Sequence, residues 1–319
     1  MSYIAIDVGH GYTKTLSDTN RTMFPSLIAP APAMVELGSN DRLPITRIND
    51  TDYLVGNAAR LYAVPRWSRD KASDPETLAM LLVAAADHGA SGPVHLATGL
   101  PLSWYGPGRE KFQRALEGFG GTVTLPNGTT HRLWFESVLV LPQGAAAAIP
   151  IFAKMPMPAD EQWLITDVGY RTTDYLVVNR LPSGSIQPRP DLAGSLEIGM
   201  HDVAVAIAQH LRGAEGIDVE ESEIEGRAEL IIGGQRMDLV PTRQTAQARL
   251  AGQLAESIKA RLGRAFDRLA GIVVCGGGAE PVGNHFRERV APMTVVIPDE
   301  PQWANAQGFL AALHASLHT

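Results

Sequence analysis

One cysteine, Cys275, stands in a chain of 319 residues. That excludes an internal disulfide and a zinc site built from cysteine thiolates. No stretch approaches the roughly 18 consecutive apolar residues of a membrane span. The chain opens directly in the strand-like run Tyr3-Ile4-Ala5-Ile6, with no basic leader before it and no cleavage signal after it. Export is therefore not expected, and a cytoplasmic location is. Positive charge is in deficit, with 27 Lys and Arg against 34 Asp and Glu and a net charge of −7. A broad basic surface for direct nucleic-acid binding is not expected on such a chain. Several catalytic signatures are also missing. There is no Gly-x-x-x-x-Gly-Lys-Ser/Thr, no Gly-x-Gly-x-x-Gly after the first strand, no His-Glu-x-x-His and no Gly-x-Ser-x-Gly. These absences argue against P-loop NTPases, dinucleotide-binding folds, helical zinc proteases and nucleophile-elbow hydrolases in turn.

What is present describes a folded chain. Hydrophobic residues make up 45% and charged residues 19%, which excludes disorder. At about 150 residues per domain the length fits two domains. The 31 glycines and 22 prolines are spread as turns and form no linker. Strand-like runs fall at Tyr3–Val8, Val94–Thr98, Trp134–Leu141, Trp163–Asp167, Tyr175–Val178, Ile272–Cys275 and Thr294–Ile297. Helical spacing predicts helices over Pro75–His88, Gly108–Gly118, Gly144–Phe152, Gly199–Leu211, Arg243–Leu269 and Trp303–Leu317. The longest carries Leu250, Leu254, Ile258, Leu262, Phe266 and Leu269 on one face. The class expected is α/β with mixed sheets. Pro142, Trp67, Trp104 and Trp303 are assigned to the core.

The most informative feature is an internal echo. Ile4-Ala5-Ile6-Asp7-Val8-Gly9 is matched 160 positions later by Leu164-Ile165-Thr166-Asp167-Val168-Gly169. Each is an apolar strand ending in Asp-Val-Gly, followed by a turn, a threonine and a second strand. Two halves opening with one device predict a duplicated α/β domain.

The chemistry follows from the residue types. In Asp7-Val8-Gly9-His10-Gly11-Tyr12-Thr13-Lys14, the glycines let a turn present consecutive N–H groups to an anion. Lys14 can reach a phosphate as a point charge. Asp7 can hold hydrated Mg²⁺ through its water shell. The second hairpin, Asp167-Val168-Gly169-Tyr170-Arg171-Thr172-Thr173-Asp174, offers another carboxylate, another turn and two hydroxyls. The pair predicts a clamp for a polyphosphate and its metal. A third element, Gly271-Ile272-Val273-Val274-Cys275 running into Gly276-Gly277-Gly278-Ala279, leaves bare backbone against which a flat ring can lie. Cys275 there reads as a small buried hydrophobe. His10 occupies a turn position within the first hairpin.

These residues carry a resemblance. Asp7-x-Gly9-x-Gly11-x-x-Lys14 resembles the first phosphate motif of the actin superfamily. Asp167-x-Gly169-x-x-Thr172-Thr173-Asp174 resembles the second, and Gly276-Gly277-Gly278-Ala279 resembles the adenosine motif. Leu141-Pro142-Gln143-Gly144-Ala145-Ala146-Ala147 and Pro301-Gln302-Trp303-Ala304-Asn305-Ala306-Gln307-Gly308 are similar to the two connecting helices. Val55-Gly56-Asn57-Ala58-Ala59, Thr98-Gly99-Leu100-Pro101 and the Ala304-Asn305-Ala306-x-Gly308 ending are similar to segments of bacterial ParM/StbA-type plasmid-segregation actins. The five larger motifs stand in the family's order along the whole chain. Tyr170 and Arg171 depart from it, standing where many relatives carry small residues.

The resemblance implies a two-lobed fold of two ribonuclease-H-like domains around a nucleotide cleft. Domain I would span 1–154, completed by the C-terminal helix 302–319, and domain II would span 155–301. ATP or ADP would bind with Mg²⁺, with GTP as the alternative nucleotide. Asp7 and Asp167 would hold the metal through water. Gly9, His10, Gly11, Tyr12, Thr13, Lys14, Gly169, Tyr170, Thr172, Thr173, Asp174, Gly276, Gly277, Gly278 and Ala279 would line the nucleotide, and Gln143, with Asp167 and Asp7, would serve hydrolysis. Adenine would be met near Glu197–Gly199 or Glu256–Lys259. Glutamine is no base at neutral pH, so Gln143 would position the water and hydrolysis would be slow. The implied function is a nucleotide-dependent head-to-tail filament, segregating plasmid DNA through a DNA-binding adaptor, with no direct contact to nucleic acid or membrane. The rival readings are a small-molecule kinase of the same superfold, with Asp87, Glu136 or Asp174 as base, and an FtsA-like membrane-associated division scaffold.

Overall fold

The computed structural model describes residues 2–32, 43–63, 70–155, 158, 160–182 and 185–317. Trp67 lies outside them. In chain order the first strands are β1 (Ser2–Val8), β2 (Tyr12–Leu16), β3 (Arg21–Pro25), β4 (Ile28–Pro30), β5 (Ile45–Ile48) and β6 (Thr51–Val55). Then come α1 (Pro75–Asp87), β7 (Gly92–Leu100), α2 (Leu102–Leu116), β8 (Gly120–Thr124), β9 (Thr130–Pro142) and α3 (Ala145–Lys154). The chain continues with β10 (Gln162–Val168), β11 (Thr173–Arg180), β12 (Ile186–Leu196), α4 (His201–His210), α5 (Glu221–Ile224), β13 (Glu229–Ile232) and β14 (Gln235–Asp238). It ends with α6 (Val240–Leu262), β15 (Gly271–Cys275), α7 (Ala279–Val290), β16 (Thr294–Val296) and α8 (Ala304–Leu317). Among the described residues, no helix is long and apolar enough to cross a membrane.

Two compact units result, Met1–Pro150 with Trp303–Thr319, and Ile151–Gln302. The first holds a nine-stranded sheet in the order β3-β2-β1-β7-β9-β8-β5-β6-β4. The second holds a five-stranded sheet, β12-β11-β10-β15-β16, and the separate hairpin β13-β14. Five strands of the first sheet repeat the whole of the second. In each, an opening strand pairs antiparallel with the next strand, which pairs antiparallel with a third. On its other side the opening strand pairs parallel with a strand that pairs parallel with another. The sequence echo is thus an echo of topology.

The cores follow from apolar strands buried on both faces. In the first unit Ile4, Ile6, Leu96, Phe135 and Val140 pack with α1 residues Leu81, Leu82 and Ala85 and with Phe112 and Leu116 of α2. In the second, Leu164, Val177, Ile272 and Val274 pack under Leu250, Leu254 and Ile258 of α6 and Val282 and Phe286 of α7.

Sequence periodicity misplaces some boundaries. The predicted helix Arg243–Leu269 is two elements, because Gly263 takes a positive φ of 52° and ends α6, and a 3-10 turn follows. Helix α7 is absent from the sequence reading. Its buried residues Ala279, Val282, Phe286 and Val290 keep helical spacing, but Pro281 and Gly283 between them read as a turn. Pro281 sits in the first turn, where its missing N–H has no helical partner to lose. Trp104, Trp303 and Pro142 are half-buried and not core. Trp303 instead lies under the guanidinium of Arg21, 5.3 Å from its ring centroid.

Candidate functional site

In the first unit, β1 and β2 form a hairpin in which Asp7 faces Lys14 and Val8 faces Thr13. The Gly9 N–H donates to the Tyr12 carbonyl at 3.1 Å and closes the turn. Asp7 is only 2% exposed. Lys14 Nζ donates to its Oδ2 at 2.9 Å, and Gln143 Nε2 donates to its Oδ1 at 2.8 Å. Burial on its own raises the Asp7 pKa. The charge and bond of Lys14, the charge of Lys71 and the Gln143 bond outweigh it, and the carboxyl is held below the ordinary range.

Gln143 reaches Asp7 because parallel strands β7 and β9 end together. Leu100 faces Pro142 in register, and the next N–H, that of Gln143, donates to the Leu100 carbonyl at 2.8 Å. The side chain is buried and points at the carboxylate beside it. One of its two amide N–H donors is bonded to Asp7, which turns its carbonyl oxygen away from that carboxylate as an acceptor for a donor such as water.

The second unit repeats the hairpin with one change of sign. Asp167 faces Asp174 and Val168 faces Thr173 across β10 and β11, and the Gly169 N–H donates to the Thr172 carbonyl at 2.9 Å. The position that holds Lys14 in the first unit holds Asp174 here. Both carboxylates are buried, and Asp174 accepts a hydrogen bond from Ser195. Carboxylates directly opposed across a strand pair repel, so this hairpin suits a cation. Two carboxylate oxygens, supplemented by water and phosphate, match Mg²⁺ chemistry. Among the described residues, no three His, Cys, Asp or Glu side chains gather as a metal cluster.

The glycine triplet divides into separate jobs. Gly276 has a φ of 86°, and a side chain there would collide with the Asp167 carboxylate and the Val168 carbonyl. A side chain on Gly278 would collide with Val168 and Met200, and its N–H donates to the Val168 carbonyl at 2.9 Å. Gly277 alone has room, its nearest neighbour being Gln302 Nε2 at 3.7 Å. Of the three, Gly277 is the one that offers an open backbone face. Ala279 is fully buried in the core.

Other expected residues have structural employment. The Thr13 hydroxyl lies 2.8 Å from Ser26 Oγ, and the Thr173 hydroxyl donates to the Ile198 carbonyl at 2.8 Å. His10 sits edge-on to Trp104 with ring centroids 6.1 Å apart. Tyr12 is exposed. The Tyr170 hydroxyl donates to Glu225 and lies 3.2 Å from His201 Nδ1. Glu256 and Lys259 are exposed on α6. The smaller signatures are architectural: Asn305 Oδ1 accepts from the Gly144 N–H at 2.8 Å, Gly308 lets α8 lie against the Ala146 carbonyl, and Gly99 makes room for the Phe309 ring.

Sequence reasoning missed Lys71. It is buried, donates from Nζ to the Val8 carbonyl at 2.7 Å, and acts electrostatically on Asp7. A signal existed. Of 27 cationic side chains only five are lysines, and two of those five, Lys14 and Lys71, are buried at the first hairpin. A compact ammonium fits a closed site where a guanidinium fork would not.

A carboxylate-ended strand, a glycine turn and a return strand, built twice into matching sheets, define a class of proteins with two copies of one α/β unit. Residues 5–145 match the family described as actin like proteins, N terminal domain. Residues 165–288 match the archaeal actin homologue MreB-like, C-terminal family. An archaeal actin homolog of Thermoplasma acidophilum is 28% identical over 337 residues, covering 99% of this chain and all of that one. The crystal structure of Ta0583, an archaeal actin homolog, in complex with ADP matches with a TM-score of 0.82 at 25% identity, over 99% of this chain and 100% of that one. A 15-stranded ParM filament from Clostridium botulinum matches with a TM-score of 0.82 at 21% identity and the same coverage. The chain belongs to the actin-like superfamily.

Proposed function

We propose that this chain is a Mg²⁺-dependent actin-like ATPase that assembles head to tail into nucleotide-dependent filaments. The observation that carries the reading is the buried Asp7 with Lys14 on one oxygen and Gln143 on the other. A carboxylate, a cation and a water-orienting amide converge there beside a glycine turn. The ADP complex of Ta0583 and the ParM filament support the reading by likeness of fold.

In this reading the turns Gly9–Tyr12 and Gly169–Thr172 bind phosphate through backbone N–H groups. Lys14 and Lys71 supply positive charge at the first turn. Asp7 and Asp167, with Asp174 beside Asp167, would hold Mg²⁺ through its water shell, and the metal would neutralise phosphate charge. Asp7 keeps the Gln143 amide in one orientation, so that the amide oxygen accepts from the attacking water. Glutamine orients and does not deprotonate, so turnover is slow. Gly277 offers its open face to the base. Cargo is plasmid DNA, reached through a DNA-binding adaptor, a division of labour that a net charge of −7 favours.

The test is light scattering and pelleting of the purified chain with Mg²⁺ and ATP, ADP or a non-hydrolysable ATP analogue. Assembly is expected with ATP and the analogue and weaker assembly with ADP. Gln143→Ala is expected to assemble with ATP and to release phosphate at least ten times more slowly, roughly the effect of a lost water-positioning group. Nucleotide binding without assembly at any protein concentration would refute the filament, and wild-type turnover in Gln143→Ala would refute the site.

A further inference from the structure

Arg171 is the one residue of the second turn that the reading above leaves without a task. It lies at the third position of the closed turn Gly169–Thr172. Its side chain is half-buried, and among the described residues its guanidinium makes no ion pair or hydrogen bond. Its one partner is the ring of Tyr170, whose centroid is 5.7 Å from Cζ, within cation–π range. A guanidinium drawn partly out of water without a counter-ion is poised for an anion.

The platform under it is unusually well fixed. The Tyr170 hydroxyl donates to Glu225, just past α5, and lies 3.2 Å from Nδ1 of His201, the first residue of α4. Those bonds form a consistent chain when Nδ1 carries the imidazole proton. Burial first, then the bond and charge of Glu225, push the Tyr170 pKa up, so the hydroxyl stays a donor at any physiological pH. The backbone is pinned too. Met200 N–H donates to the Gly169 carbonyl at 3.0 Å and His201 N–H to the Tyr170 carbonyl at 2.8 Å. A side chain at Gly199 would collide with the Tyr170 carbonyl, so bare backbone is what lets the turn seat there.

We propose that Arg171 is a ligand for the phosphate oxygens of the bound nucleotide, and that Tyr170, held by Glu225 and His201, is the residue that positions it. This rests on the nucleotide reading given above and adds a specific phosphate contact to it. Arg171 extends the turn's backbone donors with a fork that can meet two oxygens at once. Tyr170 acts only through Arg171 and touches no nucleotide with its hydroxyl.

The experiment is equilibrium binding of ADP, a non-hydrolysable ATP analogue and adenosine to the full chain, by calorimetry and by competition against a fluorescent nucleotide. In Arg171→Gln, affinity for ADP and the analogue is expected to fall about tenfold or more, the scale of a charge-assisted hydrogen bond. Adenosine affinity is expected to stay within about twofold, since it carries no phosphate. Tyr170→Phe keeps the ring and removes only the hydroxyl, and it should show the same phosphate-only pattern at roughly threefold. Wild-type ADP affinity in Arg171→Gln, or an equal loss for adenosine, would overturn the phosphate contact. Wild-type behaviour of Tyr170→Phe beside a weakened Arg171→Gln would overturn the positioning role. A wild-type chain that binds none of the three ligands refutes the nucleotide reading itself and this contact with it.

Discussion

Asp7 is charged in a place that does not favour charge, and two cations keep it so. Its folded pKa lies below the ordinary carboxylate value. A depressed carboxylate contributes stability that is present above the unfolded pKa of about 4 and is lost as pH falls through the folded value. Urea unfolding followed from pH 7 down to pH 3 should therefore show a falling midpoint, with a shallower slope in Asp7→Asn. Lys14→Met strands the buried carboxylate and should cost about 3–5 kcal/mol at pH 7. The exposed Arg47–Asp52 pair, 2.6 Å apart at the surface, is the control, and Arg47→Ala should leave the midpoint where it was. Equal effects at the two pairs would contradict the burial argument.

Element by element, the glycines of the strand–turn–helix at β15 and α7 make contrasting predictions. Gly276→Ala forces a positive φ on alanine and drives its Cβ into Asp167, so it should destabilise by at least 1–3 kcal/mol or so. Gly277→Ala meets nothing closer than 3.7 Å and should melt like the parent while binding adenine nucleotides more weakly. Thermal melts and nucleotide titration of the two variants check both claims. Asn305→Ala, which orphans the Gly144 N–H, should cost about 1–2 kcal/mol of unfolding free energy. The hairpins and the paired opening strands were legible in sequence because a buried strand followed by Asp-Val-Gly is a local pattern, and it occurs twice. The helix α7 was not, because Pro281 and Gly283 mask its period and only its neighbours explain them: Gly283 is bare to admit Ile297. Lys71 was missed for a different reason, the rarity of lysine being its one mark in the sequence. It lies 63 residues from the carbonyl it serves, and no local pattern reports such a distance. Tyr170 and Arg171 were visible as departures from the family pattern, but Glu225 and His201, the partners of Tyr170, come from other elements.

For the molecule as a whole, a ligand that binds only the folded chain must raise its stability. At a hundredfold excess over its dissociation constant, Mg²⁺-ADP should add about 2.7 kcal/mol. The expected reading is a melting temperature that climbs with ADP concentration and does so less in Lys14→Met. A melting temperature indifferent to nucleotide would contradict binding to the native state. Mass action has a further consequence for assembly. If ATP favours the filament, filament must favour ATP by the same factor, so the nucleotide affinity of the analogue should rise with protein concentration.

The same backbone slot holds an ammonium in one repeat and a carboxylate in the other. Exchanging them, Lys14→Asp together with Asp174→Lys, gives a chain of identical composition, mass and net charge. In that isomer Asp7 would face an acid in a closed site, and Asp167 would face a base at the position where the native strand carries Asp174. In the proposed site, what would suit one half to an anion and the other to a metal is therefore the order in which two residues were assigned to one repeated scaffold. An inventory of the chain would miss it, because the information lies in a permutation.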